Sequence, residues 1–230
     1  MPGSTHLITL YRFAKGTDAR YASLWRRALP GLFQPFATTR MDRYPTLFLF
    51  ALATLGNDPS TRLLSFGCST GEEVFSLRRY FPQAVIRGID INPRNIARCR
   101  ARLSRLTDDR LSFAVAASAA GEEAGGYDAV FAMAVFRHGE LGDFPPLCSH
   151  LLRFDAFEQA LAELAVCLKP GGLLFLRHAN CRFTDTRLAN SFDLLLEAPR
   201  HPATPIYGRD ERLLAPQPAL EGVAFRKRVS

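Results

Sequence analysis

The sequence has no apolar run long enough to span a bilayer. A membrane helix needs roughly 20 such residues, and the longest stretch, Leu47–Leu55, already contains Thr54. No secretory leader is expected, because Arg12, Lys15 and Asp18 break any basic-then-apolar opening. Cysteine is sparse and scattered. The five residues Cys68, Cys99, Cys148, Cys167 and Cys181 form no C-x-x-C pair. That argues against a zinc site and a disulfide framework, so no metal is expected. Buried thiols in a reducing, cytoplasmic compartment are the expectation. Lysine is nearly absent: of 29 basic residues only Lys15, Lys169 and Lys227 are lysine, so arginine carries the net charge of +7.

What is present is an ordinary globular balance, 47% hydrophobic and 22% charged, over 230 residues. A chain of that size buries roughly 70–75% of its unfolded surface without staples. Arg94, Arg98, Arg102 and Arg105 recur at helical spacing. The stripe reads as a solvated face opposite Ile96, Cys99, Leu103 and Leu106. Aromatics do not interleave with it as on a nucleic-acid platform, so no nucleic-acid partner is expected.

The chain divides at Gly56-Asn57-Asp58-Pro59, a turn-rich break. Residues 1–58 are expected to form a helical N-terminal cap or lid, broken at Pro30-Gly31 and Pro45. This segment is rich in aromatics: Tyr11, Phe13, Tyr21, Trp25, Phe33, Phe36, Tyr44, Phe48 and Phe50. Residues 59–230 alternate apolar runs with helical patterns, the signature of a parallel α/β sheet. Strands are expected at Arg62–Phe66, Ala84–Ile89, Leu111–Val115, Tyr127–Met133 and Leu173–Leu176, with an antiparallel strand at Val223–Arg228. Helices are expected at Glu72–Tyr80, from Asn92 to about Leu106, and from Phe154 to Leu168, ended by Lys169-Pro170-Gly171-Gly172.

The segment Leu63–Glu73 carries the chemistry. A strand runs into Gly67-x-Ser69-x-Gly71 and a helix follows. Small residues allow a sharp turn close to a ligand, and the helix start offers free N–H groups. About twenty residues later stands Asp90, placed to accept ribose hydroxyls. A dinucleotide fingerprint fails, since Glu72 occupies the third glycine position. Gly67-Cys68-Ser69-Thr70-Gly71 also fits the G-x-S-x-G of a hydrolase elbow, but that elbow follows several strands and this loop follows the first.

These residues resemble the class I S-adenosylmethionine-dependent methyltransferases. The first motif is matched by Ser65–Gly71, with Ser69 where most members carry glycine. Asp90 matches the ribose-binding acid, Tyr127-Asp128-Ala129-Val130 the fourth-strand motif, and Leu168–Gly172 the turn before the fifth strand. The resemblance implies a doubly wound, mostly parallel Rossmann-like sheet and S-adenosylmethionine as cofactor. It assigns cofactor binding to Gly67, Ser69, Gly71, Glu72, Asp90 and Ile91, with Met133, Phe136 and Arg137 after the fourth strand. The string Ser69–Glu73 further resembles the chemotaxis-receptor glutamate methyltransferases, where the acid after the glycine holds the cofactor's amino group. Glu72 or Glu73 is the counterpart here.

Ligands of such sheets bind at the carboxyl ends of strands. The candidates for the reacting end are therefore His138, His178, Asn180 and Tyr44, with Arg137 and Arg182 as clamps for a carboxylate. The short stretch between Gly139 and His150 leaves little room for a substrate domain, which favours methyl transfer to a small molecule. One alternative consumes the cofactor itself, giving methylthioadenosine and azetidine-2-carboxylate. The absence of an N-P-P-[YF] acceptor motif fits that alternative too. A protein carboxyl methyltransferase is the remaining enzymatic reading, and a non-catalytic binding module is opposed by the intact loop and Asp90.

Overall fold

The computed structural model describes residues 32–229. Tyr11, Phe13, Tyr21, Trp25 and Pro30-Gly31 lie outside the described residues.

Pro45 starts a helix instead of breaking one. It occupies the first turn of α1, Pro45–Leu55, where its missing N–H and fixed φ cost nothing. The segment before it, residues 32–44, is not helical, which corrects the expected all-helical cap. Strand β1, Arg62–Phe66, leads to α2, Glu72–Tyr80. Next come β2, Val85–Asp90, and α3, Pro93–Leu103. Asn92 caps α3, its side-chain oxygen accepting from Arg94 N at 3.0 Å. The helix ends earlier than its apolar spacing suggested. Leu106 N turns back to Leu103 O, Thr107 takes φ 50°, and Leu106 is left exposed. The chain continues through β3, Leu111–Val115, β4, Tyr127–Met133, and α4, Phe154–Cys167.

Strand β5, Leu168–Arg177, begins before the expected turn. Lys169–Gly172 forms a bulge inside it, where the register against β4 jumps from Tyr127↔Leu168 to Ala129↔Leu173. Strands β6, Phe192–Pro199, and β7, Leu220–Lys227, complete the sheet. The sequence pattern gave no sign of β6.

The seven strands lie in the order β3-β2-β1-β4-β5-β7-β6. All pair in parallel except β7, which is antiparallel to both neighbours. Alternation along each strand splits the core in two. Leu63, Ile86, Ala129, Phe131 and Phe175 meet α1, α2 and α3 through Phe48, Val74 and Ile96. Leu64, Ile89, Val130 and Leu174 meet α4 through Phe157, Leu161 and Leu164. Phe131 and Phe175 stack at 4.6 Å, and Phe48 packs edge-on to Phe131 at 5.9 Å. Burying a side chain such as Phe48 contributes roughly 1.5–3 kcal/mol, so α1 is pinned to the sheet.

The arginine stripe is solvent-exposed, with Arg102 lying over the Phe75 ring at 3.9 Å. All five cysteines are free and buried. Among the described residues no helix is long and apolar enough to cross a membrane.

Candidate functional site

The strand order reverses between β2-β1 and β4, the place where an open α/β sheet leaves a crevice at its carboxyl edge. A cleft opens there. One wall is the glycine loop with the ends of β2 and β4: Gly67, Cys68, Ser69, Glu73, Asp90, Ile91, Asn92, Asn95, Met133, Ala134 and Val135. The other is the segment before α1, from Leu32 to Arg40 with Arg43 and Tyr44.

Left-handed backbone shapes the loop. Gly67 has φ 70°, Ser69 φ 51° and Gly71 φ 92°. Gly67 N and Cys68 N donate to Ile89 O at 2.8 and 3.0 Å, tying the loop to β2. A side chain on Gly67 would strike Val135, and one on Gly71 would meet Phe75 and Cys99 at about 3 Å. The need for Gly71 therefore comes from packing under the loop and not from ligand space, because Gly71 does not line the cleft.

Asp90 is nearly buried. Its Oδ2 accepts from Ser69 N at 2.8 Å. Its Oδ1 accepts from Asn92 N at 2.8 Å and Asn95 Nδ2 at 3.2 Å. Burial raises its pKa and these donors pull it back. A carboxylate has about four lone-pair sites, so capacity for ligand hydroxyls remains. Ser69 Oγ is buried without a partner, an orphan beside Asp90.

The two loop glutamates separate. Glu72 accepts from Thr70 Oγ1 at 2.6 Å and does not line the cleft. Glu73 does line it, accepting from Ser65 Oγ at 2.7 Å. Burial lifts the Glu73 carboxyl to about 7, against the downward pull of Ser65 and of the Arg43 charge.

The other sequence candidates divide in the same way. Met133 and Ile91 line the cleft, whereas Phe136 is fully enclosed in the core against Phe33, Phe66 and Phe157. Asn180 is also fully buried. Its Oδ1 accepts from His138 N at 2.8 Å and its Nδ2 donates to Pro205 O at 2.7 Å. His138 in turn caps the turn Gly139–Asp143, its Nδ1 accepting from Glu140 N. Both residues hold the chain after β4 and β5 in place, and neither lines the cleft. Arg182 is paired with Asp185 at 2.8 Å.

Tyr44 and His178 do meet, with ring centroids 5.7 Å apart. Tyr44 OH and His178 Nδ1 are both buried without a hydrogen-bond partner. Burial pushes the Tyr44 hydroxyl up to about 12. Burial and then the charges of Arg177, Arg43 and Arg137 push His178 down to about 3, so its ring is neutral at physiological pH. Arg43 and Asn95 were not singled out by the sequence pattern, and of the wall Leu32–Arg40 only Phe33 and Phe36 were, as aromatics of the expected cap. The Asn92-x-x-Asn95 spacing, one helical turn under Asp90, is the signal that was available for Asn95.

Residues 64–174 match the family model described as a methyltransferase domain. No curated protein matches the chain. Among solved structures, the chain is similar to phosphoethanolamine N-methyltransferase 2 of Haemonchus contortus at 19% identity and a TM-score of 0.46. That match covers 61% of this chain and 29% of the other. It is also similar to geranyl diphosphate C-methyltransferase of Streptomyces coelicolor A3(2), at 17% identity and a TM-score of 0.43, over 57% of this chain and 43% of the other. The chain thus spans less than half the length of either. Residues 64–174, which carry the glycine loop and Asp90 on adjacent strand ends, thus match a methyltransferase domain, a kind of domain whose cofactor is S-adenosylmethionine.

Proposed function

We propose that the chain transfers a methyl group from S-adenosylmethionine to a nucleophile on a small molecule. The carrying observation is that one cleft joins the ribose-type acid Asp90 to the buried, unpartnered hydroxyl of Tyr44 across the loop. Asp90 would take the ribose hydroxyls, and Ser69 Oγ is free to add a hydrogen bond. Glu73, rather than Glu72, faces the cleft and would hold the cofactor's ammonium. Gly67 lets the backbone come close.

When bound, S-adenosylmethionine supplies an electrophilic methyl carbon attached to a sulfonium. The protein's part is then alignment and exclusion of water. The segment Leu32–Arg40 acts as the wall that narrows the cleft, with Phe33 and Phe36 supplying aromatic surface. Aromatic faces attract a sulfonium by roughly 0.5–2 kcal/mol per contact. His138 and Asn180 position the floor of the site rather than touch the reacting atoms. Self-cyclisation of the cofactor and methylation of a protein carboxyl have no support from the family match.

The test is incubation with S-adenosylmethionine, with and without a panel of small acceptors, read by mass spectrometry. Adenosylhomocysteine formed only with an acceptor supports the reading. Methylthioadenosine formed without any acceptor overturns it.

A further inference from the structure

Beyond the ends of β4 and β5 the protein gathers more arginines than its nearby acids pair with among the described residues. Arg137 follows β4 and its Nη2 reaches only a carbonyl, Ala203 O, at 3.3 Å. Arg43 lies over the Tyr44 ring at 5.2 Å and reaches Thr38 O at 3.0 Å. Neither arginine has a carboxylate partner among the described residues. The nearby acids are already engaged: Glu221 with Arg177, and Glu73 with Ser65. The charges of Arg43, Arg137 and Arg177 all bear on His178, and His201 stands edge-on to it at 5.4 Å.

Two polar side chains without hydrogen-bond partners pack against each other there, their ring centroids 5.7 Å apart. His178 is 8% exposed, with an unpartnered Nδ1, and the hydroxyl of Tyr44 is unpartnered too among the described residues. Buried polar atoms without partners are uncommon and each costs about 1–3 kcal/mol. His178 also sits at φ 55°, a conformation that costs about 1–3 kcal/mol outside glycine and clusters at functional sites. Ala134, at the end of β4, has φ 60° and donates to Arg177 O at 2.8 Å, so the strained positions mark both strand ends.

Arginines without carboxylate partners, orphan polar atoms and strained backbone share one solution, a bound oxyanion. We propose that Arg137, His178 and Tyr44, with Arg43 at their edge, bind a carboxylate or phosphate group on the methyl acceptor. The acceptor is therefore an anionic small molecule, held by its charged end so that its nucleophile faces the methyl group. Arg137 serves the acceptor and not the cofactor, because it lies past the residues that line the cleft. The inference rests on the methyltransferase reading above.

The test saturates the full chain with adenosylhomocysteine and titrates acetate and inorganic phosphate separately at constant ionic strength. Acetamide is the neutral control, and binding is read from the histidine ring resonances. One or both anions should saturate and raise the pKa of His178, and the tighter one names the source of the charge. Acetamide should do nothing. Arg137→Gln should weaken the anion about tenfold or more while leaving adenosylhomocysteine affinity within about twofold, which also shows that the variant is folded. Tyr44→Phe, which removes only the orphan hydroxyl, should weaken it too. Absence of saturation by either anion, or saturation untouched by Arg137→Gln, overturns the proposal and leaves methyl transfer standing. A loss of adenosylhomocysteine affinity in Arg137→Gln also overturns it, since Arg137 then serves the cofactor. If adenosylhomocysteine does not bind the unaltered chain, the methyltransferase reading fails first and carries this one with it.

Discussion

Ser69 N donates to Asp90 Oδ2 at 2.8 Å, so the acid that lines the cleft also holds the turn of the glycine loop. The bond links the end of β1 to the end of β2 across the neighbouring strands. It helps keep Ser69 at φ 51°, which costs a non-glycine residue energy that some local contact must return.

Asp90→Ala should therefore do two things. It removes the acceptor for two ribose hydroxyls, each worth about 1.5–3 kcal/mol as a hydrogen bond to a charged group. It also releases Ser69 N, Asn92 N and Asn95 Nδ2. Adenosylhomocysteine affinity should fall by two orders of magnitude or more on that scale, measured by calorimetric titration. Asp90→Asn keeps one acceptor oxygen and should lose less. Equal, small losses in both variants would remove Asp90 from the cofactor site.

Glu73 should make cofactor binding pH-dependent. Its carboxyl sits near 7 in the ligand-free protein because of burial. The cofactor's ammonium favours the ionised form. Affinity for adenosylhomocysteine should thus be full above pH 7 and decline as pH falls through 7. Glu73→Gln should bind more weakly and show a flat profile over the same range. A declining profile that survives in Glu73→Gln would assign the titration to another group.

Gly71 tests packing against ligand space. An alanine there must adopt φ 92° and push against Phe75 and Cys99. Gly71→Ala should lower stability by about 2–4 kcal/mol, combining backbone strain with overpacking, as read by chemical denaturation. Cofactor affinity in the remaining folded fraction should change less than stability does. Unaltered stability with abolished binding would restore the simpler idea that Gly71 makes room for the ligand.

The central strands were legible because they are buried on both faces and read as apolar runs between turn residues. Arg62–Phe66 and Tyr127–Met133 show this directly. Strand β6 was not, because it lies at the edge. Phe192–Pro199 alternates irregularly and its exposed residues include Leu194. Its pairing comes only from β7. At the site, the loop and Asp90 were legible from spacing. Which of Glu72 and Glu73 faces the cleft was not. Adjacent helical residues point about 100° apart, and the helix is aimed by the left-handed turn at Gly71. The meeting of Tyr44 with His178 was beyond local pattern altogether, since it depends on how α1 docks on the sheet. His138 and Asn180 looked like chemistry because of where they follow β4 and β5. Their actual partners are backbone groups brought close by the fold.

His178 should also leave a mark on acid stability. Its ordinary pKa of about 6.5 is lowered in the fold to about 3, by burial first and then by the surrounding arginines. Between those values the unfolded chain binds a proton that the native ring refuses. Stability is then unaffected above pH 6.5 and is lost as pH falls from 6.5 towards 3. By pH 5 the loss from this group is about 2 kcal/mol, or roughly 4–8 °C in melting temperature for a chain of this size. Glu73 works in the opposite sense. Raised to about 7, it binds a proton more readily folded than unfolded, so it adds stability as pH falls from 7 to its ordinary range. The total curve mixes the two, and the informative quantity is a difference between proteins. His178→Asn removes the titrating ring and tolerates a left-handed φ. Its melting temperature should fall less than that of the unaltered chain between pH 6.5 and 5. Saturating anion should also flatten the unaltered chain's curve, because a bound oxyanion favours the charged imidazole. Parallel curves for the two proteins would mean that His178 titrates normally, and the picture of a buried neutral ring surrounded by cations would have to be abandoned.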